Sequence, residues 1–509
     1  MGKRILVNAG VSETRVAVQE GNLLTAVYFE RHARRSIVGS VYKGVVTNVL
    51  PGMQAAFVDI GLAKDAFLYA GDYTADLGGE LRDAAEVADE EADVADVDVD
   101  DEEARREARV PIEEMLRKGQ EIVVQVSKES LGTKGARVTS FISLPGRHLV
   151  YMPQAKHVGV SRRIRDEAER DRLRAVVRGL DPPAGGFIVR TNAEGKGEAE
   201  LGADVAYLAR LWSQIHRRQE PAKAPAALHE EGDLMLRVVR DLLTPDVDEF
   251  LVDSREMYDK CAGYVESLVP ALAERVKLHA GPTPLFDAYG VDKDIEKALR
   301  RRVWLKSGGY IVIDHTEALV SIDVNTGKYV GKRDFEQTVL KINLEAVGEI
   351  VRQIRLRDLG GIIIIDFIDM EVPEHRDQVY RALKKALADD KARTNVLEIS
   401  ELGLVEMTRK RVRQDLRSLL TMSCPTCRGS GVTKSDATLA AEIFRAVQAK
   451  AAESGAPEIV VRAHPDVVAY LEGDAREGLE RLRAQRDVKV TVQTAGGHPH
   501  REEYQIQTR

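Results

Sequence analysis

Two aspartates in the sequence have the types and positions expected of a metal-binding pair. Asp323 lies near the end of an apolar stretch in "SIDVNTG", and Asp366 ends a second apolar stretch, "GIIIID". A carboxylate within an apolar strand is costly unless a positive charge compensates it. We expect both strands to be buried in one sheet, so that the two carboxylates share a divalent cation at its edge. Magnesium prefers oxygen ligands and is often bound by one or two carboxylates, so it is the candidate ion.

Asn325 follows Asp323 by two residues, which places both side chains on the same side of a strand. Its amide could orient a phosphate oxygen or a water molecule on the metal. The alternative is that the acidic residues only cap strand ends near lysines, and the residue pattern alone leaves this choice open.

A second metal motif occurs at "CPTCRGSG", where Cys424 and Cys427 are separated by two residues. A structural zinc site needs four ligands, and the only other cysteine, Cys261, stands far upstream. We expect a second copy of the chain to donate its own pair, which makes a shared site of four cysteines on a two-fold axis. The alternatives are a site completed by His464 or the histidines near 498–500, a disulfide, or no metal. The motif also fits the repeat of Hsp40 chaperones, but those carry several copies and this chain has one.

The bulk composition is that of a soluble chain with several domains. It has 509 residues, 44% of them hydrophobic, and its N-terminus does not have the pattern of a signal peptide. The strongest apolar run, "GIIIIDF", is too short to cross a bilayer. Three cysteines and no secretion signal fit a reducing cytoplasm, and we expect no membrane association.

The net charge of −8 is concentrated in one acidic segment. Residues 83–107 contain 13 acidic and 2 basic residues, and without them the net charge is +3. Such a low-complexity run is typical of an inserted loop. The mildly basic remainder is compatible with a nucleic-acid partner without requiring one.

The pattern of apolar residues predicts both strands and helices. Short β-branched runs with turn signals over 38–69 and 121–130 suggest a small barrel, on which Phe57 and Phe67 could stack unpaired bases or belong to the core. Apolar residues at helical spacing from Val339 to Ile354 predict a helix that stops at the glycines 360–361. The stretch "IIIIDFIDM" reads as a fully buried strand, and the last eighty residues read as a small α/β unit.

Five long stretches together resemble the ribonuclease E/G family. They are "VNAGVSETRVAV", "RRSIVGSVYKGVVTNVLPGMQAAFVDIGLAKDAFLY", "KSGGYIVIDHTEALVSIDVNTGKYVG", "NLEAVGEIVRQIRLRDLGGIIIIDFIDM" and "CPTCRGSG". The resemblance runs nearly end to end, except for the acidic segment. The length and the N-terminal sequence are most similar to the ribonuclease G type, so we expect no long C-terminal scaffold for other degradation enzymes.

The resemblance implies an α+β multidomain fold with six parts. These are an RNase H-like subdomain (1–38 and 235–298), an OB-type RNA-binding domain (39–136, with an acidic insertion at about 75–107), a 5′-sensor (137–234), a DNase I-like catalytic subdomain (299–420), a zinc link (421–431) and a small C-terminal domain (432–509).

The resemblance also assigns roles to individual positions. It implies that Asp323 and Asp366 bind magnesium and that Asn325 is their hydrogen-bonding partner in catalysis. It implies RNA contacts at Phe57, Phe67 and Lys134. The residues implied to read a 5′-monophosphate are Gly146, Val150, Arg190, Thr191 and Arg393. It further implies that the zinc bound by Cys424 and Cys427 links two protomers, as a homodimer or a dimer of dimers.

The expected function is therefore a magnesium-dependent endoribonuclease that cleaves single-stranded, A/U-rich RNA and is stimulated by a 5′-monophosphate. The family implies products with a 5′-phosphate and a 3′-hydroxyl, and a part in ribosomal RNA processing and messenger RNA decay. The alternative is a non-catalytic RNA-binding protein linked to translation. The discriminating feature is the set of Asp323, Asn325 and Asp366, which a protein that only binds RNA does not need.

Overall fold

The computed structural model divides the chain into two units, residues 1–417 and residues 418–509. The structure describes residues 2–33, 36–73, 110–129, 135–155, 157–161, 163–180, 183–327, 335–388, 390–400, 403–411, 413–427, 429–454, 457–486, 488–496 and 500–509. Lys134 and the predicted acidic insertion lie outside these residues. Within these ranges the fold is α+β with five sheets, and no helix is both long enough and apolar enough to cross a bilayer.

The N-terminal segment forms a meander followed by a small closed barrel. Strands β1 (Lys3–Ala9), β2 (Glu13–Glu20) and β3 (Leu23–Arg31) pair antiparallel. The barrel contains β4 (Val41–Leu50), β5 (Ala55–Asp59), β6 (Ala66–Tyr69), β7 (Glu121–Lys128) and β8 (Arg137–Thr139), with the short helix α1 (Ile112–Met115). The barrel closes because β4 pairs with both β5 and β7, so the small barrel predicted from the strand pattern is confirmed.

A four-stranded sheet with two helices follows the barrel. Its strands are β9 (Leu144–Pro145), β10 (Leu149–Met152), β11 (Val158–Val160) and β12 (Gly186–Val189), in the order β11-β12-β10-β9. Helices α2 (Glu167–Gly179) and α3 (Glu198–Gln219) contribute to the same hydrophobic cluster as this sheet. The strand β13 (Ala226–His229) then returns to the barrel and pairs with β4.

The next segment completes the sheet begun by the N-terminal meander. Helix α4 (Leu234–Asp241) leads to β14 (Val247–Val252), which pairs in parallel with β1. Helix α5 (Arg255–Leu268), β15 (Val276–Leu278), α6 (Leu285–Ala288) and α7 (Val291–Ala298) follow. The sheet order β15-β14-β1-β2-β3 shows that residues separated by more than two hundred positions share one core.

The sheet that carries both candidate aspartates has six strands. They are β16 (Arg302–Trp304), β17 (Tyr310–His315), β18 (Leu319–Asn325), β19 (Gly361–Asp366), β20 (Thr394–Val396) and β21 (Leu404–Arg409), in the order β16-β17-β18-β19-β21-β20. Helices α8 (Phe335–Arg357) and α9 (Pro373–Leu387) share a hydrophobic core with one face of this sheet. We call the opposite face of this sheet the open face.

The predicted helix and the predicted buried strand have different outcomes. The helix is confirmed as α8, and its apolar residues at the predicted spacing are buried, namely Val339, Ile342, Ala346, Ile350 and Ile354. The chain turns at Gly361, where φ is +88°. The expectation that "IIIIDFIDM" is fully buried is wrong. β19 alternates instead, with Ile363 and Ile365 in the core and Ile362 47% exposed, because the helices cover one face of the sheet only.

The second unit is a small α/β arrangement, as the sequence predicts. After helix α10 (Leu416–Leu420), it contains α11 (Asp436–Ser454), β22 (Glu458–Ala463), α12 (Pro465–Glu472), α13 (Arg476–Arg486), β23 (Lys489–Thr494) and β24 (Gln505–Thr508). The strand order is β23-β22-β24, and β22 pairs in parallel with β23. The helices α11, α12 and α13 pack with the sheet around one core.

Candidate active site

The two candidate aspartates lie side by side on the open face. β18 and β19 are parallel neighbours, and their register pairs Asp323 directly with Asp366. Adjacent strands are about 4.8 Å apart, so both carboxylates lie within reach of one cation. Asn325 lies on the same face, and its Nδ2 donates a hydrogen bond to Asp323 Oδ2 at 2.7 Å. The structure therefore brings together the three residues proposed from the sequence.

The surroundings of these carboxylates differ from the expectation of burial. Both Asp323 and Asp366 are exposed to solvent, because the open face has no covering helix among the described elements. Partial burial still raises the pKa of the Asp366 carboxyl, and the nearby carboxylates of Asp323 and Asp369 raise it further. The two neighbouring carboxylates place negative charge close to Asp366, and a bound cation would relieve this repulsion.

Asp369 is a third acidic residue at the site that was not identified from the sequence. It lies in the loop after β19, where the buried Asn343 on α8 holds the backbone. Asn343 Nδ2 donates to the carbonyl of Ile368 at 2.8 Å, and the N–H of Ile368 donates to Asn343 Oδ1 at 3.1 Å. The sequence signal for Asp369 is its spacing of three residues from Asp366 in "DFIDM". Whether the loop brings Asp369 back towards Asp366 depends on the hydrogen bonds of Asn343.

The donor set fits magnesium. Within the ranges given above, no cluster of three or more His, Cys, Asp or Glu side chains has metal-binding geometry. Magnesium does not require such a cluster, because it is often held by one or two carboxylates and keeps several waters. Asp323 and Asp366 are the residues that would hold it.

The barrel presents an aromatic row on its outer surface. Phe57 and Phe67 are paired in register on β5 and β6, with ring centroids 5.6 Å apart, and the Tyr69 ring centroid lies 4.5 Å from that of Phe67. The guanidinium of Arg137 lies 4.6 Å from the Tyr69 centroid. The alternating residues of these strands, such as Val58, fill the barrel core, so the rings point outward. Tyr69 and Arg137 were not identified from the sequence, although Tyr69 follows Phe67 at strand spacing.

The predicted 5′-sensor residues begin in a tight loop between β9 and β10. The buried carboxylate of Asp204 on α3 accepts three hydrogen bonds from this loop, from the backbone N–H groups of Arg147, His148 and Leu149 at 3.1, 2.7 and 2.8 Å. A side chain at Gly146 would collide with this carboxylate, since a Cβ there would lie 2.6 Å from an Asp204 oxygen. Glycine at this position is therefore a packing requirement of the loop.

Arg190 lies directly after β12 and reaches across this loop. Its Nη1 donates to the carbonyl of Gly146 at 2.6 Å and to Asp241 Oδ1 at 2.8 Å. Thr191 is exposed beside it and begins a short helical turn. Val150 is buried in β10 and pairs with β12, the strand that leads to Arg190, so its side chain packs in the interior of the predicted sensor. Four of the five predicted sensor residues are thus close together.

Arg393 comes from the candidate catalytic sheet and not from the sensor sheet. It is exposed, directly precedes β20, and accepts a hydrogen bond from the N–H of Lys410 through its carbonyl at 2.9 Å. Two residues earlier, Lys391 Nζ donates to the carbonyl of Asp241 at 3.3 Å. Asp241 therefore lies between the segment of Arg393 and the side chain of Arg190. Asp241 ends helix α4. Its contacts with Arg190 and Lys391 are tertiary, so no local sequence pattern predicts them.

The cysteine motif lies in the second unit. Cys424 and Cys427 are free thiols, and Cys424 is exposed. Backbone hydrogen bonds from Cys427 and Thr426 lower the pKa of the Cys424 thiol, which favours the thiolate that binds metals. His464 caps the N-terminus of helix α12, where its Nδ1 accepts a hydrogen bond from the N–H of Asp466. The donor chemistry of the two cysteines fits zinc.

His500 is the remaining candidate for a zinc ligand within one chain. It lines the same cavity as Cys427, and its Nε2 is buried without a hydrogen-bond partner in the described structure. The described residues nevertheless hold no group of three ligands at metal-binding geometry. His498 lies outside the described residues.

Comparison with known proteins identifies the class to which this fold and site belong. The profile of the Ribonuclease E/G family matches residues 143–412, more than half of the chain, and that of the RNase E/G thioredoxin-like domain matches residues 423–509. The chain belongs to the ribonuclease E/G family, a family of endoribonucleases.

Two kinds of relative define its place in this family. The chain is 44% identical to Ribonuclease G of Escherichia coli strain K12 over 97% of both chains. It is also 44% identical to Ribonuclease G of Haemophilus influenzae over 93% of both chains. Its identity to Ribonuclease E of Haemophilus influenzae is 36%, over 96% of this chain and 50% of that protein. The predicted similarity to the ribonuclease G type is therefore confirmed.

Proposed function

We propose that the protein is a magnesium-dependent endoribonuclease that cleaves single-stranded, A/U-rich RNA and is stimulated by a 5′-monophosphate on its substrate. The observation that carries this proposal is the in-register pair of Asp323 and Asp366 on the open face, with Asn325 hydrogen-bonded to Asp323. We further propose that it acts in the cytoplasm on ribosomal RNA precursors and messenger RNA.

The three residues have separate roles in this reaction. Asp323 and Asp366 hold the cation and fix its position on the sheet. A magnesium ion held there would supply a water molecule of lowered pKa and positive charge beside the phosphate. Asn325 keeps the Asp323 carboxylate oriented through the 2.7 Å hydrogen bond. The products are a 5′-phosphate and a 3′-hydroxyl.

Two other surfaces of the first unit position the RNA. The outward rings of Phe57 and Phe67 suit stacking with unpaired bases, and stacking tolerates different sequences because every base has an aromatic face. Arg190 suits a terminal phosphate, because a guanidinium can make charge-assisted, bidentate hydrogen bonds. In subdomain terms, we propose an OB-type barrel, a 5′-sensor, an RNase H-like part and a DNase I-like catalytic part.

Two copies of the chain are proposed to share one zinc ion. Each copy supplies Cys424 and Cys427, which completes four thiolate ligands on a two-fold axis. Zinc binding and dimer assembly are then coupled, because in this arrangement each chain supplies two of the four ligands.

The decisive experiment replaces Asp323 or Asp366 with asparagine, which removes a charge while keeping the shape. Each variant should lose magnesium-dependent cleavage of a short 5′-monophosphorylated RNA and keep its affinity for that RNA, measured by fluorescence anisotropy. Asp314→Asn is the matched control. Asp314 lies on the same open face in β17 but pairs with Arg301, so this variant should cleave normally.

The outcome also decides between the enzyme and the alternative of a translation-linked RNA-binding protein. Cleavage at the unmodified rate by either variant would show that the two-carboxylate site is not the catalytic centre. RNA binding without cleavage by the unmodified protein would support the alternative.

A further inference from the structure

The open face of the catalytic sheet carries an exposed aromatic and cationic cluster beside the carboxylates. It consists of Arg302 and Trp304 on β16 and Tyr310 on β17. Trp304 is 62% exposed, and its ring centroid lies 5.3 Å from that of Tyr310 in an edge-on arrangement. The guanidinium carbon of Arg302 lies 4.3 Å from the Tyr310 centroid and 5.8 Å from the Trp304 centroid. We call these three residues the edge cluster.

The strand register connects the edge cluster to the candidate active site. Trp304 pairs with Tyr310, and Tyr310 pairs with Asn325, so the three side chains form one row across the open face. Arg302 begins the parallel row that continues through β17 to Asp323 and Asp366. At about 4.8 Å per strand, the Trp304 backbone lies roughly 10 Å from that of Asn325.

The charge of Arg302 is available to a ligand. Its neighbour Arg301 pairs with Asp314, whereas Arg302 has no carboxylate partner among the described residues. Arg302 instead lies against two aromatic rings. A large exposed indole beside a cation is the combination that proteins use to stack unpaired bases and to attract their phosphates.

We propose that Arg302, Trp304 and Tyr310 form a stacking platform for a base of the single-stranded RNA that adjoins the bond cut at Asp323 and Asp366. This inference rests on the proposed function, since it assigns a substrate position at that site. Trp304 and Tyr310 hold the base, and Arg302 contributes its positive charge. Such a platform would fix the strand on the catalytic side of the molecule, independently of the barrel and of the 5′ end.

The sequence allows a direct optical test, because the chain has two tryptophans. In a Trp212→Phe background, Trp304 is the only source of tryptophan fluorescence. A further Asp323→Asn substitution prevents cleavage during the titration. Adding short A/U-rich single-stranded RNA should quench this fluorescence with the same midpoint as RNA binding followed by anisotropy. Adding the same sequence as a duplex should quench it far less, because paired bases cannot stack on the protein.

A kinetic test locates the base. Because base stacking on an aromatic side chain is worth about 1–3 kcal/mol, Trp304→Ala should lower kcat/KM roughly 5- to 100-fold, and Trp304→Phe should restore much of it. Substrates with one abasic site at each position near the cut locate the stacked base. When the abasic site replaces the stacked base, the unmodified protein and Trp304→Ala should have equal kcat/KM. Leu397→Ala, at an exposed apolar residue beside the opposite edge strand, is the matched control and should change nothing.

Three results would overturn the platform. RNA that binds without changing Trp304 fluorescence would show that the base lies elsewhere. Unchanged kcat/KM for Trp304→Ala would show that the cluster does not contribute to substrate recognition. Alternatively, the Trp304→Ala variant could dissociate in sedimentation while its kcat/KM per assembled active site stays unchanged. This result would identify the edge cluster as a contact between chains. Quenching by RNA in the titration, combined with no cleavage by the protein that retains Asp323, would refute the proposed function and leave only base stacking at the edge cluster standing.

Discussion

Replacing Arg190 with alanine should remove the preference for a 5′-monophosphate. In the structure, Arg190 Nη1 donates to Asp241 Oδ1 at 2.8 Å and to the carbonyl of Gly146 at 2.6 Å. A hydrogen bond to a charged group contributes about 1.5–3 kcal/mol, and about 1.4 kcal/mol corresponds to a tenfold change. A terminal phosphate must replace the contact with Asp241, so the net gain lies towards the lower limit. We therefore expect a loss of roughly 10-fold in kcat/KM.

The assay compares two oligonucleotides that differ only at the 5′ end. Arg190→Ala should lose activity on the monophosphorylated RNA and keep its activity on the 5′-hydroxyl RNA. Arg174→Ala is the matched control, because Arg174 lies in the same region on helix α2 and pairs with Asp171 of that helix. Equal losses on both substrates would show that Arg190 is a general contact to the RNA backbone, and the sensor assignment would fail.

Asp241→Asn tests the exchange of partners directly. Removing this carboxylate frees Arg190 from its competing acceptor, whereas Arg240 keeps its ion pair with Glu231 at 2.8 Å. The activity ratio between 5′-phosphate and 5′-hydroxyl substrates should therefore rise severalfold. A fall in this ratio would mean that Asp241 orients Arg190 for the phosphate instead of competing with it.

Three further predictions concern the zinc site, the barrel and a buried ion pair. Metal analysis of the unmodified protein should give one zinc ion per two chains, and the double variant Cys424→Ser, Cys427→Ser should lose this zinc and sediment as a monomer; a dimer with full activity would exclude the shared site. Phe57→Ala should weaken binding of single-stranded RNA roughly 5- to 100-fold by anisotropy, and Phe57→Tyr should not. Arg409→Met should destabilise the first unit by about 3–5 kcal/mol in thermal unfolding, since it leaves the buried carboxylate of Asp390 without its ion-pair partner, whereas Asp358 keeps its pair with Arg413. Arg381→Ala, which removes an exposed pair, should cost less than about 1 kcal/mol.

Local sequence patterns predicted the elements that carry the candidate active site. The apolar spacing from Val339 to Ile354 identified helix α8 because a helix buries one stripe. The interval between Asp323 and Asn325 placed both on one side of β18 because side chains alternate along a strand. These predictions succeeded because each depends on residues close together in the chain.

The exposure of the site could not be predicted from the same patterns. A run of four isoleucines in "GIIIID" indicates burial on both faces, yet Ile362 is 47% exposed. Whether a face is covered depends on which helices pack there, and α8 and α9 pack on one side only. The same limit applies to Trp304 and Tyr310, because their proximity to Asn325 follows from strand register.

Sequence distance also conceals how the predicted sensor connects to the candidate catalytic sheet. Arg409 at the end of β21 forms buried ion pairs with Asp358 and Asp390, both at 2.8 Å. Asp390 in turn accepts a hydrogen bond from the N–H of Ala392 at 3.0 Å, which shapes the segment that carries Arg393.

This buried network ties the position of Arg393 to the sheet that carries the carboxylates. The same segment contacts the carbonyl of Asp241 through Lys391, and the Asp241 carboxylate holds Arg190. A continuous set of contacts thus joins Arg190 to the sheet of Asp323 and Asp366. A phosphate that draws Arg190 from Asp241 would act on an element of this set, so the proposed stimulation by a 5′-phosphate would require only a local exchange of ionic partners. Coupling between the two sites is testable by a double-mutant cycle, in which Arg190→Ala and Arg409→Met should not be additive in kcat/KM.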